Sequence, residues 1–458
     1  MSYFRSYFEK NNTIIKNTRT NTAKNPTTEI FYGSTFSKFI FKVDFNDLIS
    51  KINNGSYVLT SGTTHSLHLT NTIFGDETFL GADRGTGRQR AVSFDLILFK
   101  IPEVWDEGVG FDYENADFIG GDKTYDVRPS NWYNRTTENE WTIHGIYSTP
   151  DIIQTIHFDN GNEDINVNIT DYVNQILTGS TNYGLGLAFP VLFESITAEI
   201  DQSVAFFTKY TQTFYEPFVE TSFDDVIRDD RYNMVTDDIQ SLYLFVTNGT
   251  NFHDLDSPPT VDILDKSTNL INGLSNLPTI KIRKGVYKVN VSITGSLCPV
   301  KSFFFDKWKN LTMNGVAIPD LTQKFVLSPF SSSLTLGDNP TDTKKYAIQI
   351  SGIKQNEKIL RGENKKIVVN FRTINLSNIN YFFDEVYYRI FIKEGHTNVI
   401  VHDWTLLDKA NENFFFLNTE YYIPREYILE FKAKINSEDL FYKEEIKFEI
   451  LSEVNIKK

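Results

Sequence analysis

At 458 residues the chain is too long for one ordinary hydrophobic core, and roughly 100 to 200 residues per domain implies about three units. A formal net charge of -14 argues against a surface made to grip phosphates, which is basic and clustered, while an acidic wall that repels a passing polyanion remains compatible with it. One cysteine, Cys298, excludes an intrachain disulfide, so the fold rests on its cores, and 38 Phe with 23 Tyr supply the bulky β-favouring side chains of sandwich interiors.

The N-terminus, MSYFRSYFEKNNTIIKN, lacks the apolar h-region of a signal peptide, and no segment approaches membrane-spanning length. The expectation is a protein made and used without Sec export and without a membrane partner. Residues 1 to 24 are rich in Asn and Thr and punctuated by Lys10, Lys16, Arg19 and Lys24. They read as an extended arm, either a frayed terminus or a segment that docks on a neighbouring subunit. Order is expected from Asn25, with Phe39, Phe41 and Val43 alternating against Ile40, Lys42 and Asp44 in a strand. Asn53-Asn54-Gly55 is a turn signal, HSLHLT a further short strand, and Arg90 to Pro102 a long apolar run that needs a bend or bulge.

Asp164 to Ile169 has the period-two pattern of a half-buried strand, and Thr170 stands where a helix N-cap would. Tyr172, Val173, Ile176 and Leu177 then share one helical face, and Gly179 stops the helix. Gly184, Gly186 and Ala188 alternate with Leu185, Leu187 and Phe189 in a strand whose small-residue face lies close to another backbone or to that helix. Strand, helix plug and glycine-spaced strand, together with the opening strand, WDEG at Trp105 to Gly108 and the closing FFTKYTQTFYEPFVETSF, resemble the DNRLRE-type jelly-roll domains of bacterial surface proteins and phage virions. The resemblance spans Asn25 to Phe223 and implies a β-sandwich at 25–230 whose tryptophan-rich loops seal its core.

Residues 224 to 240 are charged and carry no strand period, so they read as a linker. Beyond it SLYLFVTN, KGVYKVNVSIT, NLTMNGVAIPD, QKFVLSP and YAIQISGI read as short strands, with Leu255 to Pro278 loop-like and a polar insert, SSSLTLGDNPTDTKK, before the last. ENKKIVVNFRT, DEVYYRIFIKEG, NVIVHDWTLL, REYILEFKAKI and YKEEIKFEIL form a second set, whose final strand, Glu444 to Leu451, is expected at a sheet edge. The fold class is thus all-β: a DNRLRE-like jelly-roll sandwich followed by two immunoglobulin-like sandwiches at 240–352 and 353–458.

Catalytic and ligand chemistry is sparse. His65 and His68 fall on opposite faces of a strand, which opposes a zinc site. Asp106, Glu107, Asp112, Glu114 and Asp117 could offer oxygen ligands to calcium or simply form a solvated loop. Trp105, Trp132, Tyr133 and Trp141 could stack on sugar rings or close the sandwich. Serine elbow, P-loop and dinucleotide fingerprint are all missing from the sequence. No catalytic, cofactor-binding or metal residue is assigned, no cofactor is expected, and the chain is not read as an enzyme. The N-terminal half is similar to sandwiches in tail ring (stabilisation) proteins of crAss-like bacteriophages. That resemblance implies a virion structural protein, a homo-oligomeric ring in the tail barrel beside other tail and portal-adjacent proteins, with DNA only as passing cargo. The alternative is a carbohydrate-binding adhesin or receptor-binding module of the virion.

Overall fold

The computed structural model describes residues 2–19, 22–72, 89–110, 130–142, 146–197, 201–231, 234–249, 251–329, 346–373, 380–381, 385–394, 397–410, 412–435 and 438–452. Its regular structure is mostly strand, and contacts divide it into two compact units: Tyr3–Lys51 with Gly62–Ser222, and Met1–Ser2 with Ile52–Ser61 and Phe223–Lys458. Among the described residues no helix is long and apolar enough to cross a membrane.

The N-terminal unit contains β1 (Tyr3–Ile15), β2 (Thr27–Tyr32), β3 (Ser37–Val43), α1 (Asn46–Asn53), β4 (Thr64–Leu69), β5 (Gln89–Arg90), β6 (Phe94–Lys100), β7 (Ile152–Phe158), β8 (Ile165–Asn168), α2 (Thr170–Leu177), β9 (Leu185–Ala188), β10 (Gln202–Phe207) and β11 (Phe218–Ser222). An eight-stranded sheet runs β7-β6-β9-β3-β1-β11-β4-β8, and a three-stranded sheet runs β2-β10-β5. Strand β1 joins the two halves of the large sheet. Its residues Tyr3 to Tyr7 pair with β11, its residues Phe8 to Ile15 pair with β3, and the register shifts between Phe8 and Lys10. Such an irregularity bends a strand and lets it serve two ladders.

This overturns the reading of residues 1 to 24 as an arm. The polar run that prompted it is internal: Asn11, Asn12 and Thr13 are buried and hydrogen-bonded, Asn11 Nδ2 to Ala23 O at 2.8 Å, Asn12 Nδ2 to Ser130 O at 2.8 Å, and Thr13 Oγ1 with Thr28 Oγ1 at 2.7 Å. Burial of polar side chains costs little once each has a partner. The long apolar run splits, as its length required: β5 and β6 are separated by Ser93 at φ +49°.

Helix α2 forms where its period placed it, with Tyr172, Val173 and Ile176 buried. Ile169, not Thr170, occupies the N-cap position; Thr170 is the first helical residue, its N–H donating to Asn168 Oδ1 and its Oγ1 accepting from His65 N–H. The C-terminus is a Schellman motif: Ser180 N–H bonds Gln175 O at 2.9 Å and Gly179 N–H bonds Ile176 O at 3.0 Å, with Gly179 at φ +109°. Of the glycines that follow, Gly184 lies against another backbone as expected, whereas Gly186 lies against an aromatic side chain and not against backbone or the helix. A Cβ on Gly186 would lie 2.2 Å from the Phe99 ring, and one on Gly184 would lie 2.3 Å from Phe41 O.

The C-terminal unit holds two sandwiches. In the first, a sheet ordered Met234–Val235, Leu321–Ser328, Ser302–Lys309, Thr260–Leu264, Leu277–Pro278 faces a sheet ordered Gln240–Phe245, Val286–Val291, Ile280–Arg283, and one core takes Leu242, Tyr287 and Val289 from the second and Val261, Trp308 and Phe325 from the first. Five of these strands were not expected, and the two longest of them are Thr260–Leu264 and Ser302–Lys309. Thr260–Leu264 lies in the stretch read as loop, and Ser302–Lys309 (SFFFDKWK) has Asp306 on its buried face, which breaks the apolar alternation. The hairpin Thr312–Met313 to Val316–Ala317 turns on Asn314 and Gly315, both at positive φ as a type I′ turn requires.

The second sandwich pairs a sheet ordered Tyr346–Ser351, Asn364–Thr373, Asn413–Asn418, Asp408–Lys409 with one ordered Glu357–Leu360, Glu438–Leu451, Glu426–Ile435, Glu385–Glu394, Thr397–Leu406. Tyr346–Ser351 therefore belongs here, and the boundary drawn after residue 352 falls before Tyr346; the polar insert lies outside the described residues. The final strand is not an edge over Phe448 to Leu451, because Glu357–Leu360 pairs with it in parallel. Its charges serve cross-strand ion pairs, Lys358 with Glu449 at 3.3 Å and Lys393 with Glu445 at 2.8 Å.

Candidate functional site

The residues singled out from sequence do not converge. His65 is fully buried with Nδ1 2.8 Å from Thr221 Oγ1, while His68 stacks on Phe218 at 4.8 Å, so the two occupy opposite faces of β4. Burial pushes both pKa values down to about 4, against weaker opposing pulls from Asn174 on His65 and from Glu220 on His68. Among the described residues no group of His, Cys, Asp and Glu could hold a metal ion. Asp112, Glu114 and Asp117 lie outside the described residues, and Glu107 has a structural task. Its carboxylate accepts from Asn11 N–H at 3.0 Å and Tyr210 Oη at 2.7 Å and pairs with Lys24 Nζ at 2.6 Å, tying β1 to the chain after β10.

The tryptophans seal rather than display. Trp105 is fully buried and donates Nε1–H to Tyr183 O at 2.8 Å; Trp141 is buried and donates to Asn131 O at 2.9 Å. Trp132 and Tyr147 cover the buried Lys38 ammonium, each ring centroid 4.8 Å from Nζ, and Glu194 closes that cage at 2.7 Å. Of the four aromatics considered for sugar stacking, only Tyr133 is exposed. Cys298 is buried, donating its thiol to Val300 O, and burial pushes its pKa up, the wrong direction for a nucleophile.

The densest arrangement of charge lies where sequence reasoning placed a linker. Residues 225 to 231 run between the two sandwiches of the C-terminal unit and bond to both: Asp229 N–H donates to Lys409 O at 2.9 Å, Lys409 N–H to Ile227 O at 2.7 Å, and Asp230 N–H to Ser241 O at 3.0 Å. Ile227, Tyr243, Val286 and Phe414 make a small apolar core there. Arg283 of one sandwich reaches Asp408 of the other at 3.0 Å and Asp225 at 3.7 Å. The "linker" is a joint that fixes its neighbours.

Beside the joint, Arg231 donates to Asp306 Oδ1 at 2.6 Å and to Tyr243 O at 3.1 Å, with Asp229 at 3.5 Å, and Trp308 Nε1–H donates to Asp306 Oδ2 at 2.7 Å. Burial pushes Asp229 up to about 6 despite Arg231, and raises Asp306; burial also opposes the charge on Arg231, but Asp306 and Asp229 outweigh it and raise its pKa. Asp229 and Arg231 form the floor of a groove of 590 Å³ whose walls include Phe245, Phe252, Lys324 and Phe416. The same groove is also lined by Gln323, Lys366, Glu412 and Phe414. Only the alternation of charge in DDVIRDDR hinted at it, and solvated loops share that signal.

No family model matches the sequence, and no curated protein does. Among solved structures, the fibronectin(III)-like modules of Clostridium thermocellum CbhA align over 52% of this chain and 96% of theirs, at 8% identity and a TM-score of 0.18. The N-terminal Ig1-2 module of the Drosophila receptor protein tyrosine phosphatase DLAR covers 50% of this chain and 97% of its own, at 11% identity and a TM-score of 0.17. A DUF4785 family protein of Legionella pneumophila covers 97% and 94%, at 9% identity and a TM-score of 0.17. Scores this low carry no functional argument, and the assignment to an all-β, multi-sandwich fold rests on the sheets themselves.

Proposed function

We propose that the protein is a structural virion component of a tailed bacteriophage, a subunit of a ring in the tail barrel near the portal. The observation that carries this reading is the ordered series of motifs from Asn25 to Phe223 that resembles the DNRLRE-like sandwiches of crAss-like phage ring proteins. A wall subunit must transmit load without hinging, and the joint of Ile227, Arg283 and Asp408 supports that by tying two sandwiches through backbone bonds, a buried ion pair and an apolar core. The acidic balance of the chain suits a conduit for DNA, which would pass as cargo without being gripped.

The test is mass-spectrometric quantification of this protein against the portal protein in purified virions. A copy number equal to the portal's, or a simple multiple of it, is expected. Copies in threes per fibre, out of register with the portal, would favour the adhesin reading, for which the partly aromatic groove at Phe245 and Phe252 is the supporting observation. Absence from virions would remove both.

A further inference from the structure

Sheet edges present unpaired amide and carbonyl groups, and proteins ordinarily guard them by shortness, charge, proline, bulges or cover. Most edges among the described strands are guarded. Gln89–Arg90 and Met234–Val235 are two residues long and β8 is four. Leu277–Pro278 carries a proline, and Glu357–Leu360 and Ile280–Arg283 carry charges. Thr397–Leu406 has two register shifts, the outer side of Gln240–Phe245 is bonded by Asp230 and Arg231, and β2 is buried.

Two edges lack such guards among the described residues. In β7, a bulge at Ile153 leaves Gln154 to Phe158 in unbroken register with β6; in the last sandwich, Tyr346–Ser351 is in unbroken register with Val368 to Thr373. Neither segment contains Lys, Arg, Asp, Glu or Pro, and both are rich in strand-forming residues. His157, the only imidazole in them, is held by Asp95 on β6 at 2.7 Å.

We propose that these edges pair with each other between copies of this chain, Gln154 to Phe158 of one copy antiparallel to Tyr346–Ser351 of the next. The register follows from burial. Thr155 and Gln349 are exposed, whereas Ile156, Ile348 and Ile350 are half-buried. Setting Thr155 opposite Gln349 sets Ile156 opposite Ile348, and it places all of Gln154 to Phe158 opposite Tyr346 to Ile350. A slip of one residue would put Ile156 against Gln349 and Thr155 against Ile350, setting exposed residues against half-buried ones. Among the described residues one unguarded edge lies in each compact unit, so the contact joins two different surfaces and propagates head to tail, as ring closure requires. This rests on the reading of the protein as a ring subunit and names the surface that reading leaves open.

The experiment uses full-length Thr155→Cys and Gln349→Cys variants, singly and mixed, under mild oxidation, with sedimentation velocity of the unsubstituted chain alongside. Buried Cys298 is common to all samples and serves as the control. Directly opposed strand residues lie within disulfide reach, so the mixture should give about tenfold more cross-linked dimer than either variant alone. Equal cross-linking of Thr155→Cys alone would overturn the proposal in favour of a two-fold contact. So would an oligomeric chain that yields no mixed disulfide, and in that case portal-matched copy numbers in virions would leave the ring reading standing. A chain that is monomeric in solution and absent from virions would remove both.

Discussion

Gly179 and Gly184 share a backbone φ of +109° and differ in what surrounds them. A methyl group on Gly179 meets nothing within 4 Å, whereas on Gly184 it would lie 2.3 Å from Phe41 O and 3.1 Å from the Phe41 carbonyl carbon. Substitution by alanine therefore separates two costs that are usually confounded. Both variants carry the strain of a side chain in a sparsely populated backbone region, about 1–3 kcal/mol. Gly184→Ala adds displacement of β3, a strand buried on both faces, and overpacking of this kind costs about 1–3 kcal/mol more. For a unit of this size each kcal/mol lowers the melting temperature by roughly 2–4 °C, so Gly184→Ala should melt about 2–12 °C below Gly179→Ala. Differential scanning calorimetry of the full chain reads the shift in the transition of the N-terminal unit. If the two variants melt together, close approach of β9 to β3 is not what selects glycine at position 184.

Deleting residues 2 to 16 should abolish folding of the N-terminal unit, because Phe4, Phe8, Ile14 and Ile15 leave the core and their burial is worth about 6–12 kcal/mol, comparable with a domain's entire stability; limited proteolysis reads this, and a protease-resistant truncated unit would contradict the central placing of β1. The two units should respond oppositely to acid. His65 and His68 titrate at about 4 in the folded chain against 6.5 when unfolded, so the N-terminal unit keeps their full contribution above pH 6.5 and loses up to roughly 3 kcal/mol per histidine as pH falls through that window. Asp229 has the reverse sign: its raised folded pKa of about 6 means its share of stability is greatest below the ordinary carboxylate range and declines as pH rises through 6. Hydrogen exchange measured by unit at pH 7 and pH 5 checks the pair, and His68→Gln should flatten the response of the N-terminal unit alone.

The parts of the fold legible in the sequence are those where burial follows apolarity. Helix α2 was readable because Tyr172, Val173 and Ile176 repeat at helical spacing and Gly179 ends it, and the five long strands of the last sandwich were readable because aliphatic and charged residues alternate. What escaped is polar and internal. Asn11, Asn12 and Thr13 look solvated in a string of letters, yet each finds its partner on a segment distant in sequence or across a sheet. Asp229 and Arg231 look like a linker, yet Asp306 and Tyr243 satisfy the guanidinium. Local patterning carries no record of such partners, since each supplies only half of a bond whose other half is elsewhere in the chain.

That shared cause bears on how the chain would associate. An arm that locks neighbouring subunits requires a terminus whose polar groups are free to find partners outside, and here Asn11, Asn12 and Thr13 are already bonded within the N-terminal unit. The edge pairing proposed above instead uses backbone groups on sheet edges. Those groups are the outward-facing backbone amides and carbonyls of Gln154 to Phe158 and Tyr346–Ser351, where neither charge nor proline discourages pairing. Moving the interlock from a flexible terminus to rigid sheet edges also lowers its entropic cost, because the pairing strands are held in extended conformation by β6 and Asn364–Thr373 before a second copy arrives. Thr155→Lys should therefore weaken association without altering the melting of either unit, whereas Asp171→Lys, at an exposed position on α2 that belongs to neither edge strand, should leave association intact.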